Sequence, residues 1–205
     1  MAATEGVPDT VTLAGAGEVA AIELEQGRVV GRTKVGGGPS HIYVHPSGNE
    51  IWVANDGSAS LTTIDAASHE ATATIPTGAG HHKIAFTSDG GRAFATNIID
   101  ATVTVIDTAD HEALSTIAVV KGPHGIAVTP DDRHVLVACY SGQTLEVFRT
   151  SDLASNGEVS LGEGARVHSA LWLDGGRVIA GAEGRGSLYA IGLRMMDGHM
   201  PPIMS

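Results

Sequence analysis

The chain has 205 residues and a formal net charge of −11. That length suits one domain or two small ones, and the acidic balance argues against nucleic acid and anionic membrane surfaces as partners. No apolar run approaches the roughly 20 residues of a membrane span, and one cysteine, Cys139, excludes a disulfide framework or a cysteine-rich zinc or iron–sulfur site.

Residues 1–10, with Ala2, Ala3, Glu5, Gly6, Pro8 and Asp9, read as a mobile arm. They show no basic stretch followed by an apolar one, so no signal peptide is expected and the chain as written reads as cytoplasmic or as a mature form. A repeat then sets in. Gly38-Pro39-Ser40-His41-Ile42-Tyr43-Val44, Gly80-His81-His82-Lys83-Ile84-Ala85-Phe86 and Gly122-Pro123-His124-Gly125-Ile126-Ala127-Val128 follow one another at steps of 42 residues. Arg166-Val167-His168-Ser169-Ala170-Leu171-Trp172 is a fourth copy, 44 residues on. Ile64-Asp65 returns as Ile106-Asp107, and His69-Glu70-Ala71 as His111-Glu112-Ala113, both after 42 residues. Three markers with one period identify a repeat protein.

Each repeat reads as four short strands. In residues 80–121 these are Lys83–Thr87, Arg92–Asn97, Thr102–Asp107 and Ala113–Val120. Turns rich in Asp and Gly separate them, such as Ser88-Asp89-Gly90-Gly91. No stretch sustains a helical stripe. Four-stranded units of this size are β-propeller blades. The expected fold is therefore all-β, a propeller of about five blades within residues 11–193. Its parts are a partial blade at 11–37, full blades at 38–79, 80–121 and 122–164, and a partial blade at 165–193, followed by a tail at 194–205. The first partial blade carries Val11–Gly15, Val19–Glu23 and Val29–Val35 and lacks an innermost strand, while the last lacks an outermost one. Such a ring is short-ended, borrows from the tail, closes by oligomerisation or belongs to a longer propeller.

The pattern Gly-Pro-x-Gly-Ile-Ala-Val-x-Pro-Asp, followed by strands such as Trp52-Val53-Ala54-Asn55 and Phe94-Ala95-Thr96-Asn97 and then by Val-x-Val-Ile-Asp, resembles the YVTN-repeat β-propeller family. It is similar also to the haem-binding propellers of nitrite reductases. The resemblance covers residues 11–193, is specific for fold, and implies a periplasmic or cell-envelope setting. The sequence departs from it where the strand-ending Asn becomes Cys139 and then Ala182.

Ser40, His82, His124 and His168 share one repeat column, at the start of the innermost strand. Equivalent positions in a propeller ring the channel mouth. With His41 and His81 beside them, His82, His124 and His168 are the candidate metal ligands. Neutral imidazole suits Zn, Cu, Fe and Ni, and three such ligands leave an open coordination position. A histidine in such a column can equally hydrogen-bond the backbone of the next blade. His69, His111 and His134 read as solvated surface groups and His45 as structural. Asp65 and Asp107 should accept backbone N–H bonds in the turns that follow them. Cys139 reads as an inert buried thiol. The methionine-rich tail Met195–Met204 with His199 offers a Cu(I)-type donor set or a frayed terminus. Two readings lead: a propeller binding a transition metal or a metal-bearing cofactor at the histidine mouth, and a metal-free scaffold binding a protein or peptide, with a homo-oligomer formed through the incomplete blades as one such partner. A lyase or oxidoreductase using the same histidines is a third.

Overall fold

The computed structural model describes residues 9–80, 83–173 and 177–192. They form five antiparallel sheets in chain order. Sheet 1 holds β1 (Asp9–Leu13), β2 (Glu18–Glu23) and β3 (Arg28–Lys34). Sheet 2 holds β4 (Pro39–Val44), β5 (Glu50–Asn55), β6 (Ser60–Asp65) and β7 (Ala71–Pro76). Sheet 3 holds β8 (Ile84–Phe86), β9 (Arg92–Asn97), β10 (Thr102–Asp107) and β11 (Glu112–Ala118). Sheet 4 holds β12 (Pro123–Val128), β13 (His134–Cys139), β14 (Thr144–Arg149) and β15 (Ser155–Ser160). Sheet 5 holds β16 (Val167–Leu173), β17 (Arg177–Ala182) and β18 (Ser187–Gly192). Each sheet is a meander in which every strand pairs with its sequence neighbour. The propeller-type fold and its three-stranded ends agree with the repeat arithmetic. β1 starts inside the expected arm, at Asp9. No helix among the described residues is long and apolar enough to cross a membrane.

Packing explains why the strands alternate so weakly in sequence. In sheet 2, Ile51, Val53 and Ile64 join Val19 of sheet 1 in one core cluster, while Trp52, Ala54 and Leu61 join Ile84, Ala93, Ala95 and Ile106 of sheet 3 in another. The second strand of sheets 2, 3 and 4 is thus covered on both faces, and an apolar residue is favoured at nearly every position along it. Sheets 3 and 4 meet through Phe94, Val103, Val105, Val135, Val137 and Phe148, and sheets 4 and 5 through Leu136, Leu145, Val178 and Ala180. Each of these clusters joins consecutive sheets, and among the described residues none joins sheet 5 to sheet 1.

The strand-ending asparagine has a structural task. The Asn55 side-chain N–H donates to Ser60 and Thr62, and that of Asn97 donates to Thr102 and Thr104. Gly36 and Gly78 lie against these amides so closely that a Cβ would come within 2.7 and 2.8 Å of the Asn55 and Asn97 carbons. In the next repeat all three positions change together, to Val120, Cys139 and Glu146. The Cys139 thiol and the Val120 N–H both donate to the Glu146 carboxylate. Burial, with the Glu146 charge alongside, pushes the Cys139 thiol well up, which keeps it protonated. Asp65 and Asp107 accept the backbone N–H groups of Ala67 and Ser68, and of Ala109 and Asp110.

Two histidines expected on the surface are packed instead. His111 Nε2 lies 3.0 Å from Glu50 Oε1 across the boundary of sheets 2 and 3, and the same carboxylate accepts the Trp52 indole N–H at 3.0 Å. His134 is buried, which lowers its pKa. The partner of His111 comes from the preceding repeat, where residue type along the chain gives no sign of it. His45 is structural, as expected: its Nε2 bonds the Gly90 carbonyl of the next sheet at 2.9 Å.

Candidate functional site

The inner strands β4, β12 and β16 each carry an extra residue relative to the strand they pair with. The register skips from Pro39 to His41, from Pro123 to Gly125 and from Val167 to Ser169. The skipped residues are Ser40, His124 and His168, the column singled out in the sequence. A bulge leaves its extra residue outside the ladder and re-aims its side chain. Here it takes the column out of the ladder: Ser40 Oγ donates to the Ala54 carbonyl of its own sheet at 3.5 Å, while His124 meets His168 of the neighbouring inner strand.

Two contacts result. The His124 and His168 rings lie 3.9 Å apart between centroids at 38°. Gly125 permits this approach, because a Cβ there would sit 2.7 Å from the His168 carbonyl oxygen. The Tyr140 ring is 6.1 Å from His124, and the Arg166 guanidinium carbon is 5.9 Å from the Tyr140 ring centre. Two repeats back, between sheets 2 and 3, Lys83 Nζ lies 2.6 Å from His41 Nε2. Lysine has only protons to give, so Nζ donates to a neutral Nε2, His41 carries its proton on Nδ1, and that N–H donates to Ser40 Oγ at 3.0 Å. Burial lowers the Lys83 pKa and the Asp56 charge works against that shift. Burial raises the Tyr43 pKa to about 12, although the Ile84 N–H bonds its oxygen.

Arg166 is the residue that sequence reasoning missed. Gly38, Gly80 and Gly122 precede the inner strands in the left-handed region, at φ 59°, 112° and 78°. Arg166 fills the same repeat position at φ 46°. A side chain there costs about 1–2 kcal/mol relative to ordinary backbone. Strain of this kind persists at functional sites. The signal was legible, as an Arg in a glycine column. So was Lys83, which stands 42 residues after His41 in the column beside the histidines.

The expected metal-binding histidine cluster is not borne out. Among the described residues no three His, Cys, Asp or Glu side chains gather as a metal site. His81 and His82 lie outside the described residues, as do Met195–Met204 and His199. The His41 Nε2 lone pair is taken up by Lys83. Two imidazoles on one tetrahedral ion, bonded at about 2.0–2.1 Å, hold their ring centres about 5 Å apart. The separation of 3.9 Å between His124 and His168 is too short for that.

A family model, the cytochrome D1 heme domain, matches residues 54–179. The chain belongs to this family. The match supports the nitrite-reductase side of the resemblance, and the assignment to the YVTN repeat family gives way to it. Among solved structures the chain is similar to Kuenenia stuttgartiensis hydrazine synthase, with 23% identity and a TM-score of 0.70 over 80% of this chain and 47% of that one. It is similar also to dihydro-heme d1 dehydrogenase NirN in complex with DHE, with 13% identity and a TM-score of 0.75 over 100% of this chain and 45% of that one. At such identities the likeness is one of fold, and the chain spans about half the length of these structures. No curated protein matches.

Proposed function

We propose that the chain is a propeller module whose mouth binds an anionic, flat ligand of the tetrapyrrole class, using cations, imidazoles and aromatic rings rather than chelation of a metal ion by histidines. Arg166 carries this reading: a strained backbone holds a cation over Tyr140, beside His124 and His168, in a chain of net charge −11. The donor chemistry fits such a group. Arg166 and Lys83 supply positive charge for carboxylates, and Tyr140 and the imidazole pair supply flat faces. When bound, a haem of this class supplies a redox-active iron. The chain's own residues orient the ligand and keep charge-matched donors on its carboxylates.

The test is an absorbance titration with ferric protoporphyrin and with its metal-free counterpart. Both should bind. Arg166→Gly should weaken both by about tenfold or more, since a hydrogen bond to a charged group contributes about 1.5–3 kcal/mol. The same change relieves the left-handed strain, so the thermal midpoint should hold or rise. Failure of both ligands to bind, or binding of the iron form alone, would overturn the reading.

A further inference from the structure

The turn that follows each inner strand lies at the opposite end of its sheet from the mouth. There, between sheets 3 and 4, a recess of about 330 Å³ is bordered by Asp89 and Arg92 of one sheet and by Asp132, Thr150 and Ser151 of the next. Glu50, Arg92 and His134 share one repeat column, as the first residues of β5, β9 and β13. Glu50 is met from the following sheet by His111. One repeat on, Leu153 takes the position of His111 and packs into the core between sheets 3 and 4. The half-buried Arg92 instead donates from Nη1 to the Thr150 carbonyl at 2.7 Å. Among the described residues no carboxylate is ion-paired with it. A guanidinium carries five N–H donors in a fixed fork, so most of the fork remains for a ligand.

The two acids on the recess differ in what they have left to offer. Asp132 stands in a glycine column, at φ 56° where Gly48 and Gly90 have 76°. Both its oxygens accept from Ser88, one from the N–H at 2.8 Å and one from the hydroxyl, so this acid fastens sheet 4 to sheet 3. Asp89 accepts the Thr87 hydroxyl at 2.6 Å and the Gly91 N–H at 2.9 Å, both on Oδ1. Its repeat equivalent Asp131 makes the same two bonds, with Thr129 and Arg133, so these belong to the turn. Asp89 Oδ2 keeps acceptor capacity beyond them. The Thr87 hydroxyl and the Gly91 N–H hold the Asp89 carboxyl below its usual range, and the Arg92 charge adds to the effect.

We propose that this recess binds a free α-amino acid, its carboxylate on the Arg92 fork and its ammonium on Asp89. Two opposite charges line one recess without pairing with each other, and a molecule that carries both groups on one carbon bridges them. The Arg fork matches a carboxylate with two parallel bonds. Arg92 and Asp89 sum to zero charge, so a zwitterion enters without an uncompensated charge. A simple anion would meet Asp89 and Asp132, and a simple amine would meet Arg92, and like charges brought together select against both. This site is separate from the mouth and does not depend on what binds there.

Amide resonances of the nitrogen-labelled full chain, followed during titration with L-alanine, acetate or methylamine to about 10 mM, test this for affinities of millimolar or better. L-alanine should shift the Gly91 and Ser151 amides saturably, and acetate and methylamine should each bind about tenfold or more weaker. Arg92→Gln and Asp89→Asn should each weaken L-alanine by about tenfold or more. Asp89→Asn keeps an acceptor oxygen for the turn, so its amide spectrum without ligand should match wild type away from the recess. Asp131→Asn makes the same change in the equivalent turn and should bind L-alanine like wild type. Absence of saturable shifts with L-alanine would overturn the proposal. So would acetate binding as tightly as L-alanine, which marks a plain anion site, or equal loss in Asp131→Asn, which marks an effect of the turns.

Discussion

Gly125→Ala tests the link between fold and mouth directly. The added Cβ would lie 2.7 Å from the His168 carbonyl oxygen, 2.8 Å from Ser169 Cα and 3.3 Å from Ala138 Cβ. Two of these three are backbone atoms of the next sheet's inner strand, so no side-chain rotation relieves the clash. Bringing the nearest contact to an ordinary separation moves β12 and β16 apart by about 0.5–1 Å, and overpacking on this scale costs about 1–3 kcal/mol. The gain from a stiffer unfolded chain, about 0.4–1 kcal/mol, offsets only part of it. For a chain of this size 1 kcal/mol shifts the midpoint by about 2–4 °C, so the net fall should be about 2–8 °C. Gly15→Ala is the control, because a Cβ there meets nothing within 4 Å. Thermal unfolding followed by circular dichroism measures both. The histidine pair should loosen as well, visible as a change in the His124 and His168 ring resonances. A Gly125→Ala protein as stable as wild type, with those resonances unmoved, would refute the close approach of the two inner strands.

Glu50→Ala removes the acceptor of the Trp52 indole N–H and the partner of His111. It should cost about 1–3 kcal/mol in urea unfolding, the penalty for a buried donor left unpaired, and shift the tryptophan emission. Cys139 should resist iodoacetamide at pH 8 in the native protein and react at once in denaturant, because burial and Glu146 keep it protonated. His134 contributes pH dependence of a definite sign. Its folded pKa lies below the unfolded value of about 6.5, so its contribution is full above that pH and lost as pH falls through the folded pKa. Replacing His134 by Gln should therefore flatten the drop in urea midpoint between about pH 7 and 5 relative to wild type.

The repeat made the architecture legible, because a period of 42 residues fixes sheet count, strand order and turn positions at once. Arg92–Asn97 and Thr102–Asp107 were placed to the residue, while Lys83–Thr87 and Ala113–Val120 shift at their ends, where strands fray into turns. The period also put Ser40, His124 and His168 in one column. It could not say which of them would touch. That depends on the bulges in β4, β12 and β16 and on Gly125, and spacing along the chain carries neither. His111 and Glu50 escaped for a related reason. They are 61 residues apart, so no repeat offset pairs them. The metal reading failed for His124 and His168 on distance: a shared column brings imidazoles near one another, but rings 3.9 Å apart leave no room for one ion between them.

The bulges also separate two kinds of constraint on this chain. A residue inside a strand answers to its ladder partner and to the sheets on both sides, so few substitutions there are neutral. Ser40, His124 and His168 have no ladder partner to lose. Repeats that share a backbone can therefore present a hydroxyl at one blade and imidazoles at others, and the identity of the side chain at the mouth can drift or be selected while the scaffold stays the same. The mouth is where this fold can acquire a new specificity by single substitutions.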